Sequence, residues 1–286
     1  MGMAENSLPS SVVSADWLLE HADAQNIVIL DASWFMPGSG RDARTEWENE
    51  RIPGAVFFDF DKEICDKDSS LPHMLPGAEQ FASQVSGLGI SNDDTIIVYD
   101  SHGLFSSPRA WWMFKVMGHD RVAVLDGGLP AWKAVGGSLE SGSVTEVAEK
   151  GQFSARFRSK WVIDAPTLLD KLADPQVVVL DARPAARFYA QQPEPREGIR
   201  SGHMPHAKSL PFGQLVKDSK LVSQSILKQR FDAISEHDQQ LIFSCGSGVT
   251  ACILALAADV AGRENLTVYD GSWTEWGAGL KYPVVS

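Results

Sequence analysis

The sequence repeats itself, and this repetition restricts the possible folds more than any other feature of the chain. Four segments of the first half return in the same order in the second half, with their first residues 150, 152, 145 and 144 positions apart. Such even spacing predicts two tandem copies of one domain of about 130 residues, an ordinary domain size. The pairs are IVILDASWF (27–35) with VVVLDARPA (177–185), RIPGAVFF (51–58) with HMPHAKSLPF (203–212), TIIVYDSHGLFSSPRA (95–110) with QLIFSCGSGVTACILA (240–255), and VAVLDGGLPAWKAVG (122–136) with LTVYDGSWTEWGAG (266–279).

The join between the two copies is polar and poor in large aliphatic residues. Its sequence, ESGSVTEVAEKGQFSARF (140–157), has the composition of a linker. We therefore expect a first domain over 8–140, a linker over 141–160 and a second domain over 161–286.

Within each copy, short apolar runs alternate with segments of helical spacing. The apolar runs are continuous, which is typical of strands buried on both faces of a parallel sheet. This alternation predicts an α/β fold in which helices cover both faces of a mainly parallel sheet in each domain. The strand-like runs are IVIL, TIIVY, VAVL, VVVL, LIFS and LTVY, and the helical segments include WLLEHA, AWWMFKVMG, APTLLDKLA and ILALAADVAG.

Composition and charge exclude several classes of protein. A formal net charge of −12 argues against nucleic-acid binding, because neutralising phosphates requires clustered Lys and Arg. No apolar run reaches the length of a membrane span, and the first residues lack the basic and apolar regions of a secretory signal. Three cysteines form no disulfide framework, so a reducing compartment, either the cytoplasm or the mitochondrion, is expected. The scattered histidines and the absence of zinc spacing predict no metal and no other cofactor.

Cys245 stands where a buried strand ends and a helix is expected to begin. Ligands bind beyond the carboxyl ends of the strands in open α/β sheets. The loop between strand and helix is GSGVT, and its glycines at 246 and 248 allow the backbone N–H groups to turn inward. Because such amides and a helix N-terminus stabilise an anion, we expect the Cys245 thiol to ionise readily and to act as a nucleophile. A buried structural cysteine is the alternative interpretation.

The position equivalent to Cys245 in the first copy and the two remaining cysteines are expected to have other roles. In the first copy the residue equivalent to Cys245 is Asp100, so we expect the first domain to lack a nucleophile and to form one wall of a cleft, since pockets favour domain interfaces. Cys252 falls inside the expected helix and is assigned to core packing. Cys65, in a charged loop, is expected to be exposed and open to oxidation.

The residues around Cys245 resemble the active-site loop of the 3-mercaptopyruvate sulfurtransferases, members of the rhodanese superfamily. The resemblance covers nearly the whole chain. Thiosulfate-type rhodaneses typically carry basic residues at the positions of Gly246 and Ser247, so the sequence of this loop distinguishes the two groups of enzymes. The matching segments are CGSGVTA, IPGAVFFD, LPHMLPGAEQF, SPRAWWMF, LDGGLPAW, RFYAQQPEPREGIRSGHMP and YDGSWTEWG.

This resemblance implies tandem rhodanese-like domains and an enzyme that transfers sulfur. The Cys245 thiolate would attack the sulfur of 3-mercaptopyruvate, and pyruvate would leave as its enolate. A persulfide would remain on Cys245, held by the loop residues Gly246, Gly248, Val249 and Thr250. A second thiol, such as that of thioredoxin, or cyanide would then collect the sulfur. We expect the protein to be a monomer.

The resemblance also assigns supporting residues. Arg187 in ARFYA and Arg196 in PEPRE match the arginines that hold the substrate carboxylate and keto oxygen, a task that suits the planar fork of a guanidinium. Ser247, His73 in LPHMLP and Asp61 in FDFD match a proton relay proposed for the family.

Several other functions stay open on the sequence alone. Thiosulfate could replace mercaptopyruvate as the donor. A non-catalytic sulfur carrier would hold a persulfide without generating it. Gly246, Gly248 and Ala251, with Asp270 further on, fit a dinucleotide-binding fingerprint, but fewer than 40 residues follow Gly248, too few for the rest of such a domain. A cysteine phosphatase requires arginine at the position that Ala251 occupies.

Overall fold

A computed structural model describes residues 8–143 and 149–286, and these form two compact units. The first unit contains the described residues through Cys65, Pro76–Phe157 and Asp218–Lys220, and the second contains Asp66–Leu75, Arg158–Lys217 and Leu221–Ser286. Two short segments thus belong to the unit built mainly from the other half of the chain. Part of the linker expected over 141–160, residues 144–148, lies outside the described residues.

The first unit is built on a five-stranded parallel sheet. Its elements are β1 (Val12–Val13), α1 (Ala15–His21), β2 (Ile27–Asp31), α2 (Ala43–Asn49), β3 (Val56–Phe57), α3 (Ala78–Gly87), β4 (Thr95–Tyr99), α4 (Ser107–Val116), β5 (Val122–Leu125) and α5 (Gly128–Ala134). The strands lie in the order β1-β5-β4-β2-β3, and every neighbouring pair is parallel.

The second half of the chain contains a sheet of the same topology. Its elements are β6 (Val162–Ile163), α6 (Ala165–Lys171), β7 (Val177–Asp181), α7 (Ala185–Phe188), β8 (Lys208–Ser209), β9 (Val216–Lys217), β10 (Lys220–Leu221), α8 (Gln224–Asp232), β11 (Gln240–Ser244), α9 (Ala251–Val260), β12 (Leu266–Tyr269) and α10 (Ser272–Trp276). The five-stranded order is β6-β12-β11-β7-β8, again parallel throughout, while β9 and β10 form a separate two-stranded pair.

The two sheets follow one pattern, which confirms the α/β fold expected from the repeat. All six strand-like runs form strands, and the long ones occupy the middle of each sheet. Register is repeated as well, because Asp31 pairs with Tyr99 across β2 and β4 while Asp181 pairs with Ser244 across β7 and β11. All five residues of β4 are buried, so its unbroken apolar run reflects a strand covered on both faces by helices.

In the described residues, the side chain of the N-cap residue caps α1, α2 and α6, and the caps of α1 and α6 follow the repeat. Ser14 accepts a hydrogen bond from Trp17 N–H at the start of α1, and Asp164 accepts one from Thr167 N–H at the start of α6. Each such cap stabilises its helix by about 1 kcal/mol. Within the described ranges, no helix is both long enough and apolar enough to cross a membrane.

Candidate active site

Cys245 directly follows β11, the middle strand of the second sheet, and its side chain is buried. The loop that it opens ends at Ala251, where α9 begins. Cys245 therefore lies at the carboxyl end of the central strand, the edge at which parallel sheets bind ligands.

The start of α10 fixes the backbone of this loop. Cys245 N–H donates to Ser272 Oγ at 3.1 Å, and the Ser272 hydroxyl donates in turn to the carbonyl of Tyr269 at 2.9 Å. Trp273 N–H donates to the Cys245 carbonyl and Thr274 N–H donates to the Gly246 carbonyl, each at 2.9 Å. Three hydrogen bonds thus hold the main chain of Cys245 and Gly246, and a fourth orients the Ser272 hydroxyl.

A backbone amide contacts the sulfur itself. Gly248 N–H donates to Cys245 Sγ at 3.1 Å, and Gly248 has a φ of 82°, in the left-handed region that favours glycine. In the described part of the chain, this amide is the hydrogen-bond donor to the sulfur. Val249 is buried behind it, and Thr250 closes the loop as the N-cap of α9.

Arg187 lies against the same loop. A Cβ built on Gly246 would come within 3.3 Å of Arg187 Nη2, so a glycine at 246 leaves room for the guanidinium. The Arg187 side chain is 19% exposed, which leaves it accessible to a small anion. The structure therefore brings a cation next to Gly246, the residue after Cys245, although no basic residue is present within the loop sequence.

A chain of alternating charges holds Arg187 in this position. Glu194 accepts from Arg187 Nε at 3.2 Å and also pairs with Nη2 of the same guanidinium. The same oxygen, Glu194 Oε1, also accepts from Arg183 Nη1 at 2.7 Å. Arg183 in turn binds Asp181 through Nε and Nη2. Burial alone would lower the pKa of Arg183, but the Asp181 and Glu194 carboxylates outweigh it and raise that pKa. Sequence reasoning selected Arg187 and missed the other three members.

His73 and Ser247 meet in the second unit. His73 Nε2 and Ser247 Oγ are 3.0 Å apart, and both side chains are buried. The segment that carries His73 is attached to the residue that follows β12, because Leu75 N–H donates to Asp270 Oδ2 at 2.8 Å. His73 has a φ of 44°, a left-handed conformation that costs free energy in a residue with a Cβ and that often marks functional sites.

The remaining residues expected in the site are placed as follows. Asp61 is half-buried in the first unit, where its carbonyl accepts a hydrogen bond from Cys65 Sγ at 3.2 Å. Arg196 is half-buried two residues beyond Glu194. The second unit thus joins Cys245, its loop, Ser247, His73 and Arg187 through direct contacts.

The other two thiols are buried. Cys252 is fully buried in α9 and donates from Sγ to the Gly248 carbonyl at 3.2 Å, so it packs beneath the loop. The expectation that Cys65 is exposed is wrong, because only 5% of it is accessible. Its Sγ is turned toward the Asp61 carbonyl, and its own carbonyl accepts from Gln80 Nε2 at 2.9 Å.

The equivalent loop of the first unit already holds an anion. Asp100 is fully buried, and its Oδ1 accepts from the N–H groups of His102 and Gly103. Its Oδ2 accepts from three further amides, those of Phe105, Ser106 and Ser107, and from the Ser107 hydroxyl at 2.7 Å. A strand, a short loop and a helix in this arrangement can surround one negative charge with N–H donors.

Among the described residues, no group of three or more His, Cys, Asp or Glu side chains is arranged to hold a metal ion. The groups that the structure places together are the buried Cys245 thiol, the Gly248 amide, the Arg187 guanidinium beside Gly246 and the Ser247–His73 pair.

A tandem α/β protein with one strand-end thiol is the class that this fold and site define. Residues 14–135 and 164–278 both match the rhodanese-like domain, and the chain belongs to the rhodanese family. This confirms the resemblance drawn from the sequence.

Particular relatives share almost its entire length. The chain is 43% identical to the 3-mercaptopyruvate sulfurtransferase of Escherichia coli K12, over 95% of this chain and 96% of that protein. It is 42% identical to the thiosulfate/3-mercaptopyruvate sulfurtransferase 1, mitochondrial, of Arabidopsis thaliana, over 100% of this chain and 81% of that protein. The crystal structure of the 3-mercaptopyruvate sulfotransferase SseA from Escherichia coli matches with a TM-score of 0.83 and 41% identity, over 92% of this chain and 99% of that one.

Proposed function

We propose that this protein is a 3-mercaptopyruvate sulfurtransferase that works through a persulfide on Cys245. The observation that carries the proposal is the placement of the thiol: Cys245 Sγ lies at the end of the central strand, 3.1 Å from Gly248 N–H, in a loop that the Arg187 guanidinium contacts. Relatives at about 40% identity bear the name of that enzyme.

The substrate is bound through its carboxylate and keto oxygen. We assign this role to Arg187 and Arg196, because a guanidinium binds a carboxylate through two parallel hydrogen bonds. Glu194 leaves part of the Arg187 guanidinium accessible while fixing its plane. The chain carries a net charge of −12, so local arginines must capture the anion against the overall field.

Sulfur transfer then proceeds in balanced steps. The Cys245 thiolate attacks the substrate sulfur and forms an S–S bond, while the C–S bond breaks and its electron pair stays on carbon. The resulting enolate takes up one proton to become pyruvate. The persulfide outer sulfur lies among the loop amides of Gly246, Gly248, Val249 and Thr250, which we assign to its stabilisation.

Proton movement is assigned to Ser247 and His73, which the hydrogen bond at 3.0 Å couples. Asp61 completes the relay by the family resemblance. In the second half-reaction an acceptor thiolate, such as that of reduced thioredoxin, attacks the outer sulfur and restores the Cys245 thiolate. We propose that the protein acts as a monomer in the cytoplasm or the mitochondrion, with domains over 8–140 and 161–286 around the 141–160 linker.

Thiosulfate is the second candidate donor. It is favoured by the name of the Arabidopsis relative, which includes both donors. The loop argues for mercaptopyruvate, because Gly246 and Ser247 supply no positive charge for a sulfonate-like group.

Pyruvate release tests the proposal. The protein should form pyruvate from mercaptopyruvate in the presence of a dithiol, Cys245→Ser should form none, and Cys252→Ser should remain active as the matched control. A carrier would release no pyruvate. Nicotinamide-dependent absorbance change or release of phosphate from a phosphoester would instead support the oxidoreductase or the phosphatase.

A further inference from the structure

A buried aspartate at the same position of each copy has different hydrogen-bond partners in the two copies. Asp31 ends β2 and Asp181 ends β7, and each pairs in the same register with the central strand of its sheet. Asp181 binds the guanidinium of Arg183, two residues on, through three N–H contacts of 2.7 to 3.1 Å. In the first copy the residue two positions after Asp31 is Ser33, so this copy has the carboxylate without the matching cation.

Among the residues that the structure describes, the hydrogen-bond donors to Asp31 are neutral. Its Oδ1 accepts from Ser33 N–H at 2.8 Å, and the Tyr99 hydroxyl donates to the same side chain. Over the ranges that the structure describes, no Lys, Arg or His forms an ion pair with Asp31, although the residue is only 2% exposed. Burial raises the pKa of Asp31 to about 6, against the smaller opposing effect of these donors. The carboxylate is therefore poorly compensated in its ionised form.

A cavity takes the place of the missing side chain. It measures about 370 Å³ and is lined by Asp31, Ser33 and Leu129. Their counterparts in the second copy are Asp181, Arg183 and Trp273, and the Arg183 guanidinium lies 4.2 Å from the Trp273 ring centroid. The first copy thus has neither the guanidinium nor the large ring, and the residues at their positions line the cavity.

The residues that line the cavity carry one more carboxylate than they carry cations. Glu46 and Glu50 also line it, together with Arg41 and Lys133. Arg41 is paired with Glu46, and Lys133 is paired with Glu50. Three carboxylates thus face two cations once Asp31 is ionised, and both cations already have partners.

We propose that this cavity binds a guanidinium group, which would occupy the position that the Arg183 side chain fills in the other copy. The site is independent of the proposed sulfur transfer. The group can belong to a free small molecule or to an arginine side chain in a peptide. Planar geometry suits it, because two N–H groups can bind the Asp31 carboxylate together.

The test is a titration of the full-length, isotope-labelled protein with ethylguanidinium, followed by amide chemical shifts. The amides of Ser33 and Ser101, which line the cavity, should shift and reach saturation, whereas tetramethylammonium at the same ionic strength should not move them. Agmatine and an acetylated, amidated Gly-Arg-Gly peptide separate the two sources, and the tighter binder identifies which one the cavity accepts.

Two variants connect the shifts to the proposed contact. Asp31→Asn should weaken binding by about tenfold or more, equivalent to about 1.4 kcal/mol. Ser33→Arg restores the Asp-Ala-Arg sequence of the second copy, so it should fill the cavity, raise the melting temperature and abolish the saturable shifts. Pyruvate formation reports that each variant is folded. If Asp31→Asn binds as tightly as the parent, or if the shifts rise linearly as they do with tetramethylammonium, the proposal is wrong.

Discussion

Glu194 binds two guanidinium groups at once, and the orientation of Arg187 depends on it. Only 3% of its side chain is exposed, and it bridges Arg183 and Arg187. Removing one member of a buried charge network leaves the others uncompensated. Glu194 is therefore a positioning residue: it acts on the substrate through the arginine that it holds.

We predict that Glu194→Gln lowers kcat/KM for mercaptopyruvate, mainly through a higher KM, because Arg187 loses its fixed plane. The loss of transition-state stabilisation should be about 2–4 kcal/mol. Steady-state pyruvate formation measures this. The matched control is Glu197→Gln, since Glu197 is exposed three residues further on. Equal kinetics for the two variants would show that Glu194 does not position Arg187.

Asp31 should make stability depend on pH. The unfolded chain loses this proton near the ordinary value of 3.8, whereas the folded protein keeps it until about pH 6. Between these values the folded state binds more protons, so stability falls as pH rises, by up to about 3 kcal/mol for a shift of this size.

Asp31→Asn should remove that dependence and be more stable than the parent above about pH 6. Urea unfolding between about pH 4 and pH 8 would show it as a difference that grows with pH. Asp93→Asn, whose side chain is fully exposed, should leave the profile unchanged. A difference that is constant across the pH range contradicts the assignment to Asp31.

The loops after β4 and β11 show one element used for two purposes. In the first unit the loop surrounds the Asp100 carboxylate with five amides and a hydroxyl. In the second unit the same position carries the Cys245 thiol, which one amide contacts. In the first loop the amides donate to the loop's own Asp100 side chain, whereas in the second loop further amides can donate hydrogen bonds when sulfur is added.

Asp100→Asn should therefore destabilise the protein by about 2–4 kcal/mol, because an amide NH₂ would face N–H donors in either orientation. Urea unfolding measures the change. Asp120→Asn is the comparison, since Asp120 is a largely exposed partner of Lys115. An unfolding free energy that matches the control would mean that the loop does not depend on the Asp100 charge.

At the scale of the whole molecule, the repeat carried most of what could be predicted. Continuous apolar runs located the long strands, since a strand buried on both faces has no polar positions to alternate. The Cys245 site followed because parallel strands end at a common edge. The Asp181–Arg183–Glu194–Arg187 chain was missed because Glu194 reaches its arginine partners only once the loop after α7 folds back. The burial of Cys65 was missed because it depends on packing within a loop whose composition is charged.

The activity of the whole protein should depend on which sulfur donor it is given, and the chemistry of the loop predicts that preference. We expect kcat/KM for mercaptopyruvate to exceed that for thiosulfate, because Gly246 and Ser247 leave the loop without a basic side chain for a sulfonate-like group. Both donors are assayed with cyanide as the common acceptor. A higher kcat/KM for thiosulfate would reverse the assignment.

The persulfide is the central claim, and intact-protein mass spectrometry tests it most directly. After brief exposure to mercaptopyruvate without an acceptor, the protein should gain the mass of one sulfur atom on the peptide that contains Cys245, and a thiol should remove it. Cys245→Ser should gain nothing, while Cys252→Ser should behave as the parent. Sulfur found on another residue, or pyruvate formed by Cys245→Ser, would contradict the account.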